Sequence, residues 1–161
     1  MKNTKSNLYE HCIALLNERG VMLEDVVECS MLLQKKFSPH VKYTDYMEAV
    51  ISVLSKREVQ FTIMTAVALD KMVDADIIPD ETLTEILKND EPLYGIDEVL
   101  AYSICNLYGS IALTNFGFID REKLGIIQYL NLQKNQCNTF IDDVVGAIAA
   151  AAAGSIAHNK T

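Results

Sequence analysis

The sequence predicts an all-α fold, a compact multi-helix bundle with an alanine-rich helix near its centre. Three observations carry that reading. Apolar residues recur three and four positions apart in nearly every segment. Alternation with a period of two never persists, and no Asn-Gly or Asp-Gly hairpin dipeptide occurs. The run Ala149 to Ala153, set between Gly146 and Gly154, is too bare to cover a core and small enough to let neighbouring helix axes come close, which places it inside the bundle.

Each element has its own warrant. Leu8, Cys12, Leu15 and Leu16 mark a first helical face, stopped at Gly20. Leu23, Val26, Val27, Ser30, Met31 and Leu33 form a second, closed by Ser38-Pro39. Thr44 is placed to cap a third, with Met47, Val50, Ile51 and Leu54 inward, and Ser55 a fourth, with Val59, Ile63, Ala66, Val67 and Met72 along one stripe. Pro79 or Asp80 opens a short helix through Leu83, Ile86 and Leu87, ended by the sharp break NDEPLYG. IDEVLAYSICNLYGSIAL reads as one helix bent near Gly109-Ser110, REKLGIIQYLNLQKN as another, and FIDDVVGAIAAAAAGSIAH as the last.

At 161 residues the chain holds one domain, residues 1–161, with a sizeable core and no room for a second. A formal net charge of −8 argues against unaided binding to nucleic acid, so no nucleic-acid partner is expected. The four cysteines stand far apart and only three histidines occur, which removes a disulfide scaffold and a zinc site. The polar N-terminus lacks the apolar stretch of a secretory signal. Val99 to Ile119 carries Ser103, Asn106, Ser110, Thr114 and Asn115, and Val144 to Asn159 is mostly alanine and shorter than the ~20 residues a span needs, so no transmembrane segment is expected. A cytoplasmic protein is the expectation, and peripheral association with a membrane is compatible with it. The apolar half of the chain, on helices with little fully polar face, predicts a homo-oligomer.

The chemistry concentrates in acids. Ile96-Asp97-Glu98-Val99-Leu100 and Ile141-Asp142-Asp143-Val144-Val145 resemble each other, each placing adjacent carboxylates at the start of an apolar helix. Acids in a first helical turn serve the dipole and the free N–H groups, and Thr139 with Asp142 resembles a shortened capping box. Yet both helices are too apolar to be peripheral. If their starts meet, the carboxylates crowd one pocket and require a cation or a proton. An all-oxygen set suits Mg²⁺, with Mn²⁺ the alternative. Asp120, three residues before Lys123, shares a face with it if that segment opens a helix. Together they offer a carboxylate for metal and an ammonium for phosphate, or merely a surface ion pair. Arg57 is a second candidate phosphate clamp if its helix points inward. Asp70, Asp74, Asp76, Asp80 and Glu81 lack the glycine and spacing of a calcium loop and read as an acidic helix-to-loop surface. His11, His40 and His158 have no catalytic partner nearby in sequence.

On KREVQ (56–60), LYGIDEVLAYSICNLYGSIALTNFGFID (93–120) and TFIDDVVGAIAAAAAGSIAH (139–158), the chain resembles the short soluble branch of the phosphatidylglycerophosphatase A family over essentially its whole length. Similarity to the membrane-bound phosphatases rests on Asp97-Glu98, on Asp120 with Lys123, and on Ile-Asp-Asp-Val-Val-Gly at 141–146. The glycine-rich Pro-Gly-Thr element and the lipid-docking spans of those enzymes have no counterpart. The resemblance implies a Mg²⁺-dependent phosphatase acting on a small phosphomonoester or a phospholipid headgroup, phosphatidylglycerol phosphate in the membrane family. On it, Asp97, Asp120, Asp142 and Lys123 are the expected catalytic residues. Asp97, Glu98, Asp142 and Asp143 are the expected metal ligands, and Lys123 and Arg57 the expected phosphate contacts. The competing expectation is a helical module that has kept the fold without the activity.

Overall fold

A computed structural model describes residues 4–159, and among them the chain runs through nine helices with no strand. They are α1 (Thr4–Glu18), α2 (Leu23–Gln34), α3 (Tyr43–Leu54), α4 (Arg57–Asp74), α5 (Glu81–Asn89), α6 (Ile96–Cys105), α7 (Ser110–Glu122), α8 (Ile126–Leu132) and α9 (Ile141–Asn159). The all-α bundle expected from the apolar spacing is the fold.

Helix α9 is the axis of the molecule. Every residue from Ile141 to Gly154 is buried, and α2, α3, α4, α6, α7 and α8 all pack against it, with α1 and α5 outside on α4. Its small side chains decide how closely the others approach. A Cβ built on Gly154 would stand 3.3 Å from the backbone nitrogen of Ala112, so α7 rests there directly on the α9 backbone. Among the described residues α9 is also the one helix long and apolar enough to cross a membrane, and those qualities are spent on its neighbours.

Several helix ends differ from the sequence reading. Lys42 precedes α3, and the Asp45 carboxylate accepts its N–H at 2.9 Å, so Thr44 lies inside the first turn rather than capping it. Ser55 ends α3, its hydroxyl donating to the Ile51 carbonyl at 2.7 Å, while Lys56 precedes α4. Asp80 does cap α5, accepting the Leu83 N–H at 3.0 Å. The stretch read as a single bent helix is two: α6 stops at Cys105, and Gly109 turns the chain at φ 94°, a region glycine enters at little cost. Helix α7 then runs on to Glu122, through residues expected to open the next helix.

Candidate active site

The starts of α6 and α9 and the end of α7 meet at one place. The two acid pairs adopt the same local form. Asp97 Oδ1 accepts the N–H of Glu98 at 2.9 Å, and Asp142 Oδ1 accepts the N–H of Asp143 at 2.7 Å. Each first acid thereby turns along its own helix start, and Asp97, Asp142 and Asp143 are all buried. Asp120 belongs to the last turn of α7, not to a helix start, and Lys123 is the left-handed residue that ends it, at φ 51°. The i,i+3 pairing survives this change because it needs only one intact turn between the two. Lys123 Nζ lies 2.8 Å from Asp120 Oδ1 and 3.6 Å from Asp142 Oδ2, joining the ends of α7 and α9.

Asp143 is hydrogen-bonded to both Asp97 and Asp120. Two ionised carboxylates only accept, so carboxyls this close need a proton or a cation among them. Burial, then the neighbouring Asp142 and the contacts to Asp120 and Asp97, push the Asp143 carboxyl far above the ordinary range. Burial likewise raises Asp142, against the pull of Lys123. Glu98 is raised by burial and by the charges of Asp120 and Asp97. Asp90, the left-handed residue closing α5, is raised by burial and by Asp97. Burial disfavours the Lys123 ammonium, and Asp142, Asp120 and Asp143 more than offset it, so it stays charged. One ammonium thus faces carboxyls from three helices.

Among the described residues no group of three or more His, Cys, Asp or Glu side chains is arranged to hold a metal ion. The donor set nevertheless fits a hard divalent cation. It is all oxygen, and its carboxyls exceed what the one Lys123 ammonium can neutralise. Mg²⁺ in particular is commonly held by one or two carboxylates, with water and substrate completing its shell.

Arg57 is not brought here. It is exposed at the start of α4, its guanidinium 5.6 Å from the Phe61 ring centroid. Thirteen residues separate it from Asp70, the α4 residue that touches the start of α9, which is about 20 Å of helix.

Asp70 itself corrects the sequence reading, which placed it on an acidic surface. It is fully buried, and its carboxylate accepts the N–H groups of Phe140 at 3.1 Å and Ile141 at 2.9 Å. The cap of α9 therefore comes from α4, while Thr139 donates its hydroxyl to the Leu87 carbonyl at 2.7 Å instead of forming a box with Asp142. Burial raises the Asp70 carboxyl to about 7 despite those N–H donors. The remaining residues of the joint before α9 are clamped too. Arg19 binds Asp74 at 3.1 Å, the Cys137 carbonyl, and Asn138 Oδ1 at 3.3 Å, and Asp74 Oδ1 accepts the Cys137 N–H at 2.6 Å. A signal for Asp70 was present: with Ile63, Ala66, Val67 and Val73 it keeps the 3-and-4 spacing of the buried stripe of α4.

A family model for phosphatidylglycerophosphatase A matches residues 17–158. Protein YpjQ of Bacillus subtilis (strain 168) is 45% identical over 157 residues, covering 98% of this chain and 88% of its own. Protein YutG of the same organism is 47% identical over 146 residues, covering 90% and 87%. Among solved structures, the low temperature requirement C protein of Listeria monocytogenes superposes with a TM-score of 0.91 at 44% identity, over 95% of this chain and 96% of that one.

Proposed function

The chain belongs to the phosphatidylglycerophosphatase A family, and on that premise we propose that it is a Mg²⁺-dependent phosphomonoester hydrolase, with Mn²⁺ the alternative ion. The observation that carries the reading is the meeting of Asp97, Asp120 and Asp143 from three helices, with Lys123 beside them. Capping alone would leave such acids apart, because like charges gain nothing by meeting in a buried place.

Asp97, Glu98, Asp142 and Asp143 are the residues that would hold the cation. When bound, it neutralises phosphoryl oxygens and lowers the pKa of a water molecule. Lys123, kept charged by its acids, takes one phosphate oxygen, and binding there loosens its tie to Asp142. Asp120 orients the attacking water and accepts its proton as the new P–O bond forms. The ester P–O bond breaks, and the departing alcohol oxygen takes its proton from solvent water.

Phosphate release from phosphatidylglycerol phosphate in mixed micelles and from soluble phosphomonoesters, with and without Mg²⁺, tests this. Asp97→Asn and Asp142→Asn are expected to lose the activity, and with it the rise in Tm that Mg²⁺ causes in the wild type. Absence of both Mg²⁺ or Mn²⁺ binding by calorimetry and phosphate release from every ester would replace the reading with a structural helical module.

A further inference from the structure

Beside the acids, where the ends of α5 and α8 meet the joint into α9, lies a cavity of about 310 Å³ whose lining includes Asn89, Asp90, Asn131, Gln133 and Asp142. A second hollow of about 540 Å³ shares Asn89, Gln133 and Lys88 with it and leads outward past Lys134. Asp142 belongs to both cavity and cluster, since its other neighbour is Lys123. The cavity therefore opens beside the acids, at the residue that faces Lys123.

The lining divides into two kinds of amide. Gln136 and Asn138 are consumed by the frame: Gln136 donates to the Arg19 carbonyl and to Asn138 Oδ1, and Asn138 donates to the Leu130 carbonyl. Among the described residues, Asn89, Asn131 and Gln133 have no side-chain hydrogen-bond partner. Each therefore offers two donors and an acceptor to whatever fills the space. Charge narrows the occupant further. Lys88 is already paired with Asp76 and Glu85, and Asp90 and Asp142 bring negative charge, so a second phosphate is repelled. Leu130 and Cys137 are the only apolar side chains of the lining, which gives an acyl chain no wall to bury against.

We infer that this cavity is the leaving-group subsite, built for a neutral, polyhydroxylated alcohol, and that Asn89, Asn131 and Gln133 select it by hydrogen bonds to its hydroxyls. The inference rests on the phosphatase reading and names its substrate class, a polyol or sugar monophosphate. A glyceryl lipid headgroup offers some of the same hydroxyls, so both sources belong in the test.

The experiment measures kcat/KM for glycerol phosphate, a hexose monophosphate, a hexose bisphosphate, phosphatidylglycerol phosphate in vesicles, and para-nitrophenyl phosphate, which has no hydroxyl on its leaving group. Wild type is expected to favour the soluble monophosphates over the bisphosphate and the lipid. In Asn131→Leu combined with Gln133→Leu, the ratio of kcat/KM for the hexose monophosphate to that for para-nitrophenyl phosphate is expected to fall about tenfold or more. Asn89→Leu, on the α5 side, provides an independent second probe, with circular dichroism and Tm confirming the fold of each. An unchanged ratio in both variants, or a wild-type preference for the vesicle lipid, overturns the subsite while leaving the phosphatase standing. No turnover of any ester, para-nitrophenyl phosphate included, overturns both.

Discussion

Lys123 shows how one side chain can hold two helix ends in register. It is the ammonium among buried carboxyls, 2.8 Å from Asp120 and 3.6 Å from Asp142, and 28% of its side chain is exposed. Removing one partner of a fully buried ion pair costs about 3–5 kcal/mol because the other is left uncompensated. Water reaches Lys123, and the acids can take up protons, so the cost is smaller. Lys123→Met is expected to lower stability by about 1–3 kcal/mol at neutral pH. Urea midpoints measured without divalent ions check this, and a midpoint equal to wild type would show that the acids hold together through protons alone.

At the scale of elements, α9 governs the packing and its two glycines do different work. A Cβ at Gly146 would meet Ile119 Cγ2 at 3.4 Å, an ordinary contact, whereas at Gly154 it meets the Ala112 backbone, which cannot swing aside. Gly146→Ala is expected to gain about 0.5–1 kcal/mol from helix propensity. Gly154→Leu is expected to lose about 1–3 kcal/mol or more by forcing α7 away. Thermal melts of the two variants should move in opposite directions. Equal shifts would mean that α7 is not seated on the α9 backbone. The same seating carries Asp120 to Asp143, since both acids ride on these two helices.

For the molecule as a whole, the buried carboxyls set how stability depends on pH. Asp70 titrates near 7 in the folded chain against 3.8 for an unperturbed carboxyl, and Asp142 and Asp143 are raised as well. Between those values the folded state binds more protons than the unfolded one, so stability falls as pH rises. The contribution is complete below about pH 4 and, for Asp70, is lost through about pH 7. From about pH 5 to about pH 8, in chelator, the urea midpoint is expected to drop by the equivalent of about 2–4 kcal/mol. Asp70→Asn should flatten part of that slope, at the cost of a weaker cap on α9. Excess Mg²⁺ should oppose the drop, because deprotonated carboxylates bind it best. A midpoint rising with pH in chelator would show these acids to be ionised when folded.

What the chain determines by itself is local. Periodic apolar spacing, the absence of strand alternation and the bare run Ala149–Ala153 are enough for an all-α bundle around a buried last helix, because each depends on residues within a turn or two of one another. Likewise Asp97-Glu98 and Asp142-Asp143 stand out as acids at apolar helix starts, and Asp120 with Lys123 as a pair one turn apart. Other properties belong only to the folded molecule. Asp70 caps a helix seventy residues away, Gly109 divides one expected helix into two, Arg57 ends on the outside, and Asp143 comes to rest between Asp97 and Asp120. Hydrogen bonding and charge act over a few ångströms of space and are indifferent to distance along the chain. Which groups they join was settled when α4, α6 and α7 packed around α9.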